Sequence, residues 1–220
     1  MALSNSDGED ALHEHVRALQ KEIGISEYFL QNLFKESDDW SFVVKLNALV
    51  EAALTHLLTE TIGRPELKDV LAHTSRAGKT AFATALGLLE PEDRRLIVKL
   101  AEMRNVFVHD VKRVNLTIPE YLKSLSEGDR KGFLKAIRYY AGDEQTLDLP
   151  GVGKVDVAEF VEENPKLAIW FSAMNLIGVL YVHKESSALS RQFAAMRAIN
   201  DAFASVMGKG IGGPSRDDKT

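Results

Sequence analysis

The chain contains no cysteine. That removes disulfides, thiolate nucleophiles and cysteine-ligated zinc, and it suits a reducing compartment such as the cytosol. A long uninterrupted apolar run is missing as well. The richest stretch, Leu167 to Val182, is broken by Ser172, Asn175 and Gly178. It falls short of the ~20 residues a bilayer span requires, so it reads as a buried core helix and no membrane association is expected. Met1 to Asp10 has no basic start followed by an apolar segment, so export is not expected and a cytoplasmic protein is. Nor is there an excess of base: the net charge of -5 argues against broad, non-specific nucleic-acid binding, which relies on many lysines and arginines neutralising phosphates. Finally, neither a series of β-alternating segments nor a fixed-period repeat is present, which favours an all-α assembly of packed helices over α/β.

What the chain does have is apolar residues at helical spacing. The 45% hydrophobic content over 220 residues is ample for a buried core. Residues 9 to 36 read as one or two leading helices, with Ile23, Ile25, Phe29, Leu30, Leu33 and Phe34 on the apolar side and Gly24 as a break. After the capping residues Ser37, Asp38 and Asp39, the series Phe42, Leu46, Leu49, Ala53 and Leu57 predicts a long helix ending near Gly63 and Pro65. Residues 64 to 74 read as an irregular connection, and Ala77 to Leu89 as a further helix. Pro91, with acids around it, suits the first turn of a helix that runs to about His109 on the face Leu96, Leu100, Met103 and Phe107.

Pro119 and Glu120 open a short helix, and residues 127 to 141 form another. The stretch Asp143 to Val155, with Pro150, Gly151 and Gly153, is the internal boundary, with room for a short hairpin around Leu147 to Val155. Beyond it, Trp170, Met174, Ile177 and Tyr181, then Met196, Ile199, Phe203 and Val206, keep helical spacing on either side of Ser186-Ser187. The organisation expected is a helical domain over 1–142, a helical extension packed on it over 155–207, and a disordered tail over 208–220.

One string is chemically informative: Glu102-Met103-Arg104-Asn105-Val106-Phe107-Val108-His109-Asp110. Residues 94 to 113 carry six bases against two acids, a local reversal of the overall charge that is equally a solvated helix face. Arg104 falls on the flank of the apolar face, where a buried guanidinium requires a carboxylate, a carbonyl, another subunit or a ligand phosphate. Arg104 and His109 lie about 140° apart on an ideal helix, so they share a site only if the helix ends or bends between them or a second protomer completes the pocket. Asn105 and His109 stand at i and i+4, where the amide is placed to orient the imidazole.

Arg104-Asn105-x-x-x-His109 on a late helix of an all-α domain resembles the Arg-x4-to-6-His motif of HEPN proteins. Glu36-Ser37-Asp38 before the long apolar helix, and Ala85-Leu86-Gly87-Leu88-Leu89 before the motif helix, sharpen the likeness toward the mannitol operon repressor family. The likeness covers about residues 33 to 112 and leaves 113 to 207 unaccounted for. It implies a HEPN-like helical bundle with additional C-terminal helices. In active HEPN ribonucleases it implies metal-independent RNA cleavage at the 2′-hydroxyl by motifs paired across a dimer. On that pattern His109 is the general base or acid, Arg104 stabilises the phosphate in the transition state, and Asn105 positions the histidine or the RNA. Glu36 and Asp38 are candidates to pair with Arg104 from the facing helix. Many HEPN domains are not catalytic, and the mannitol repressor family is named for transcriptional control, although the sequence holds no helix-turn-helix reading surface.

Two function classes therefore stand. One is a homodimeric regulatory or interaction module acting through a protein partner. The other is a cofactor-free endoribonuclease, a toxin or defence effector held by an antitoxin. Other motifs carry less. Gly78-Lys79-Thr80 matches the end of a phosphate-binding loop, but that loop needs Gly where His73 stands, and a preceding strand. His13 and His15 are two apart and project to different sides of a helix, a poor arrangement for metal binding. His56 and His183 sit within apolar helices and read as core or boundary histidines.

Overall fold

A computed structural model describes residues 5–142, 144–149 and 153–210. The expected boundary residues Pro150 and Gly151, and the greater part of the expected tail, lie outside the described residues. The architecture is mostly helical, as the apolar spacing predicts.

Helix α1 spans Asn5–Glu22, α2 Phe29–Phe34 and α3 Asp39–Ile62. Asp38 caps α3 by accepting from the Ser41 N–H at 2.7 Å, and Gly63 ends it at φ 69°, the left-handed conformation that glycine adopts without steric cost. Between them Phe42, Leu46, Leu54, Leu57 and Leu58 are fully buried, so α3 is the central helix. The segment expected to be irregular holds a short helix, α4 (Leu67–His73). Helix α5 (Arg76–Ala85) is capped by Ser75 and stops before Leu89, because Gly87 turns the chain at φ 68°.

Helix α6 (Pro91–Val108) starts with Pro91 in the first turn and a reciprocal capping box between Glu90 and Asp93. Its predicted face of Leu96, Leu100, Met103 and Phe107 is fully buried. Helices α7 (Ile118–Ser124) and α8 (Glu127–Ala136) follow, and a two-stranded antiparallel hairpin joins β1 (Thr146–Leu149) to β2 (Gly153–Asp156). After α9 (Val157–Glu163) comes α10, a single helix over Pro165–Gly210. Ser186-Ser187 do not interrupt it, since the sequence between Gly178 and Gly208 contains no proline or glycine.

The core draws on both sides of the hairpin: Val157, Ile169, Leu176 and Ile177 join the cluster formed by α1, α3 and α6. Two contacts fix direction. Trp40 Nε1, at the start of α3, donates to the Phe107 carbonyl at the end of α6 (3.1 Å), so α6 runs antiparallel to α3. Lys166 reaches Asp39 at 3.1 Å and Arg191 reaches Glu60 at 3.4 Å, so α10 runs parallel to α3. The C-terminus of α6 and the C-terminal half of α10 are thus at opposite ends of the bundle. By length and composition α3 and α10 are also apolar enough to cross a membrane, yet in this fold most of that surface is buried against the other helices.

Candidate functional site

The three motif residues sit in the last turn of α6. Helical geometry persists through His109, which closes the helix at φ -75°, ψ -17° and donates its backbone N–H to the Asn105 carbonyl at 3.1 Å. Arg104 and His109 therefore keep their separation of about 140° around the axis, and the helix neither ends nor bends between them. Arg104 is half-buried and its Nη1 donates to Asn105 Oδ1 at 3.2 Å. The amide oxygen thus serves the arginine rather than the imidazole. His109 is exposed, and its ring makes no hydrogen bond among the described residues.

Glu36 and Asp38 do not meet Arg104. The Glu36 carboxylate pairs with Lys45 at 2.5 Å and its carbonyl accepts from Lys166 Nζ at 2.8 Å. Asp38 is spent on capping α3, and the Ser41 N–H holds its carboxyl below the usual range. The expected pairing fails for a physical reason: both acids lie at a helix start, where unpaired backbone N–H groups and two lysines compete for them.

Behind Arg104 is a cluster that sequence reasoning missed. From α5, Arg76 donates to Asn47 Oδ1 at 2.8 Å and lies 3.5 Å from Glu51, while Lys79 Nζ reaches Glu51 at 2.8 Å. The Lys79 side chain is only 2% exposed and that of Arg76 13%. Burial pushes the Glu51 carboxyl up, but the hydrogen bond and charge of Lys79, with Arg76, outweigh it and hold the group below its ordinary value. Burial, with the neighbouring charge of Arg104, pulls Arg76 down against the opposing pull of Glu51. Two cations from α5 thus hold one carboxylate from α3, and Arg104 of α6 stands near enough to Arg76 for the two charges to repel. A signal did exist: Asn47 and Glu51 are i, i+4 on one apolar helix, and Arg76 and Lys79 are i, i+3 on the next, so each pair shares a face.

Local pairing drains part of the positive charge of residues 94 to 113. Arg95 pairs with Glu92 at 3.6 Å and Lys99 with Glu102 at 2.7 Å, while Arg113 turns back onto the Val106 carbonyl at 3.4 Å. The histidines set aside on sequence are accounted for: His15 stacks on Tyr181 with ring centroids 5.5 Å apart, His56 lies 3.6 Å from Glu22, and His183 Nδ1 bonds the Leu88 carbonyl at 3.0 Å. Gly78-Lys79-Thr80 lies inside α5, with Lys79 committed to Glu51. Among the described residues no group of three or more histidines and acids is placed to hold a metal ion.

A sizeable concavity lies elsewhere. An open cleft of about 1180 Å³ is lined by Arg95, Lys131, Lys135, Arg138, Tyr139 and Val161 among others; it touches α6 only near its first turn, away from Arg104. Comparison with protein-family models, with curated proteins and with solved structures finds no match.

Proposed function

We propose that the chain is a HEPN-like, dimeric regulatory or interaction module, cytoplasmic and acting through a protein partner in the manner that the mannitol repressor resemblance implies. One observation carries this reading. Within one protomer Arg104 is tied to Asn105 and set beside the Arg76–Glu51–Lys79 cluster, while His109 points away with its ring unengaged. An arginine so placed extends a helix-tying polar cluster rather than facing a proton-transfer partner. The exposed Asn105, His109, Lys112 and Arg113 then form a polar, basic helix end suited to an acidic surface on a partner.

A second reading keeps one feature in its favour. The same free imidazole, near Lys112 and Arg113, is open to an RNA phosphodiester, and a second protomer supplying another Arg104 would complete a metal-independent ribonuclease site. The two readings differ in what Arg104 supports. For the module, Arg104→Ala lowers the unfolding temperature or weakens association, while His109→Ala leaves both unchanged. Thermal unfolding with light scattering on the two variants checks this; an Arg104→Ala protein as stable and as associated as wild type contradicts it.

A further inference from the structure

The C-terminal part of α10 leaves the body of the protein. Arg191, which pairs with Glu60 at 3.4 Å and packs its guanidinium against Gly63, is half-buried, and every residue from 192 to 201 is exposed. The helix nevertheless continues to Gly210, so residues 192–210 extend roughly 28 Å at 1.5 Å per residue.

This projection is not polar. Leu189, Phe193, Met196 and Ile199 are 53%, 61%, 59% and 67% exposed. Leu189, Phe193, Met196 and Asn200 follow one another at spacings of four, three and four. That is the seam of a helix made to lie along another helix. The four apolar side chains Leu189, Phe193, Met196 and Ile199, the last on the flank of the line, present on the order of 500 Å² per protomer, at the upper end of the apolar patches that monomers tolerate. Two copies laid together remove on the order of 1,000 Å², the threshold of a specific interface.

We infer that this stripe is the surface on which a second copy of the chain docks, pairing the two α10 projections. The inference rests on the dimeric part of the reading above and names its surface. Three features select a copy over another occupant. The area reaches the size of a specific interface only when both sides contribute such a stripe. The polar member of the seam, Asn200, carries an amide that both donates and accepts, so an identical residue satisfies it. The flanks, Gln192, Arg197 and Asp201, are of mixed sign, whereas a helix that lies on an anionic bilayer carries lysines and arginines along its polar face. Because α10 projects from the end of the bundle opposite to the C-terminus of α6, such a pair leaves both Arg104–His109 ends open to a different partner.

The test is the mass of the full chain by light scattering at micromolar concentration, for wild type and for Phe193→Asp, Asn200→Leu and Arg104→Ala. Wild type is expected at twice 24.4 kDa and Phe193→Asp at the single mass, its dimer weakened at least a hundredfold with helical circular dichroism retained. Asn200→Leu, which takes an amide out of the seam without touching the body, is expected to tighten the dimer at least tenfold. A monomeric wild type, a Phe193→Asp dimer, or an Asn200→Leu dimer no tighter than wild type overturns the inference. So does monomeric wild type binding to vesicles of anionic lipid, which makes the stripe a membrane anchor. Dissociation by Arg104→Ala with Phe193→Asp still paired moves the interface to the α6 end; that outcome sinks this assignment and spares the module reading.

Discussion

Glu51→Gln is the sharpest perturbation of the interior because one carboxylate balances two cations. Glu51 accepts from Lys79 at 2.8 Å and lies 3.5 Å from Arg76, whose charge Arg104 in turn repels. The substitution keeps shape and hydrogen-bonding capacity but removes the charge. Lys79, 2% exposed, is then a buried ammonium with no counter-ion. Breaking a buried pair from one side costs about 3–5 kcal/mol; because Glu51 keeps about a third of its surface, screening reduces the expected loss to about 2–3 kcal/mol. In a chain of this size that lowers the unfolding midpoint by about 5–10 °C. Removing both charges, in Glu51→Gln with Lys79→Met, recovers most of the loss, since an apolar side chain suits the site that Lys79 fills. Adding Arg104→Gln to Glu51→Gln recovers part of it by relieving the repulsion on Arg76. The assay is thermal unfolding followed by circular dichroism at neutral pH. A Glu51→Gln midpoint within 1–2 °C of wild type, corresponding to well under about 1 kcal/mol, refutes the account of the cluster.

Acid should act on the same groups. The carboxyls of Glu51 and Asp38 are held below their ordinary values of 4.5 and 3.8, so the stability they confer is present above those values and is lost as pH falls through the folded pKa. Unfolding midpoints measured from pH 6 down to pH 3 should fall, and fall less for Glu51→Gln; parallel curves for the two proteins contradict this. Asp38→Ala removes the α3 cap and should cost about 1 kcal/mol in chemical denaturation, whereas a loss below a few tenths would mean that the cap is replaced by solvent. Gly178→Leu sets a side chain where even a Cβ runs into Leu12 of α1; α1 should loosen from α10, read as faster amide exchange in residues 11–22, and unchanged exchange there would contradict close packing at this glycine.

How much of this was legible in the sequence depends on whether the cause was local. Helices α3 and α6 were readable at both ends because Asp38, Gly63 and Pro91 act within a turn of their own positions, and the buried face of α6 followed from spacing alone. Short α4 was not, since Pro65 and the nearby charges of Arg64, Glu66, Lys68 and Asp69 mask a helix of seven residues. The unbroken α10 was obscured by Ser186-Ser187, which weaken a helix without stopping it. At the candidate site the positions of Arg104, Asn105 and His109 on α6 were readable, and so was their angular separation. Their partners were not: the Lys79–Glu51 pair spans 28 residues and joins two helices, and no local pattern marks a lysine that folding buries. The expected Glu36 and Asp38 contacts failed because nearby N–H groups and lysines outcompete a distant arginine.

The proposed module stands most directly on RNA cleavage. Purified wild-type protein and its His109→Ala variant are incubated with a mixed RNA pool in EDTA, with the oligomeric state checked on the same samples. The account predicts no cleavage by either protein, both folded and both dimeric. Cleavage by wild type that His109→Ala abolishes, in samples equally dimeric, would contradict it and establish the ribonuclease reading.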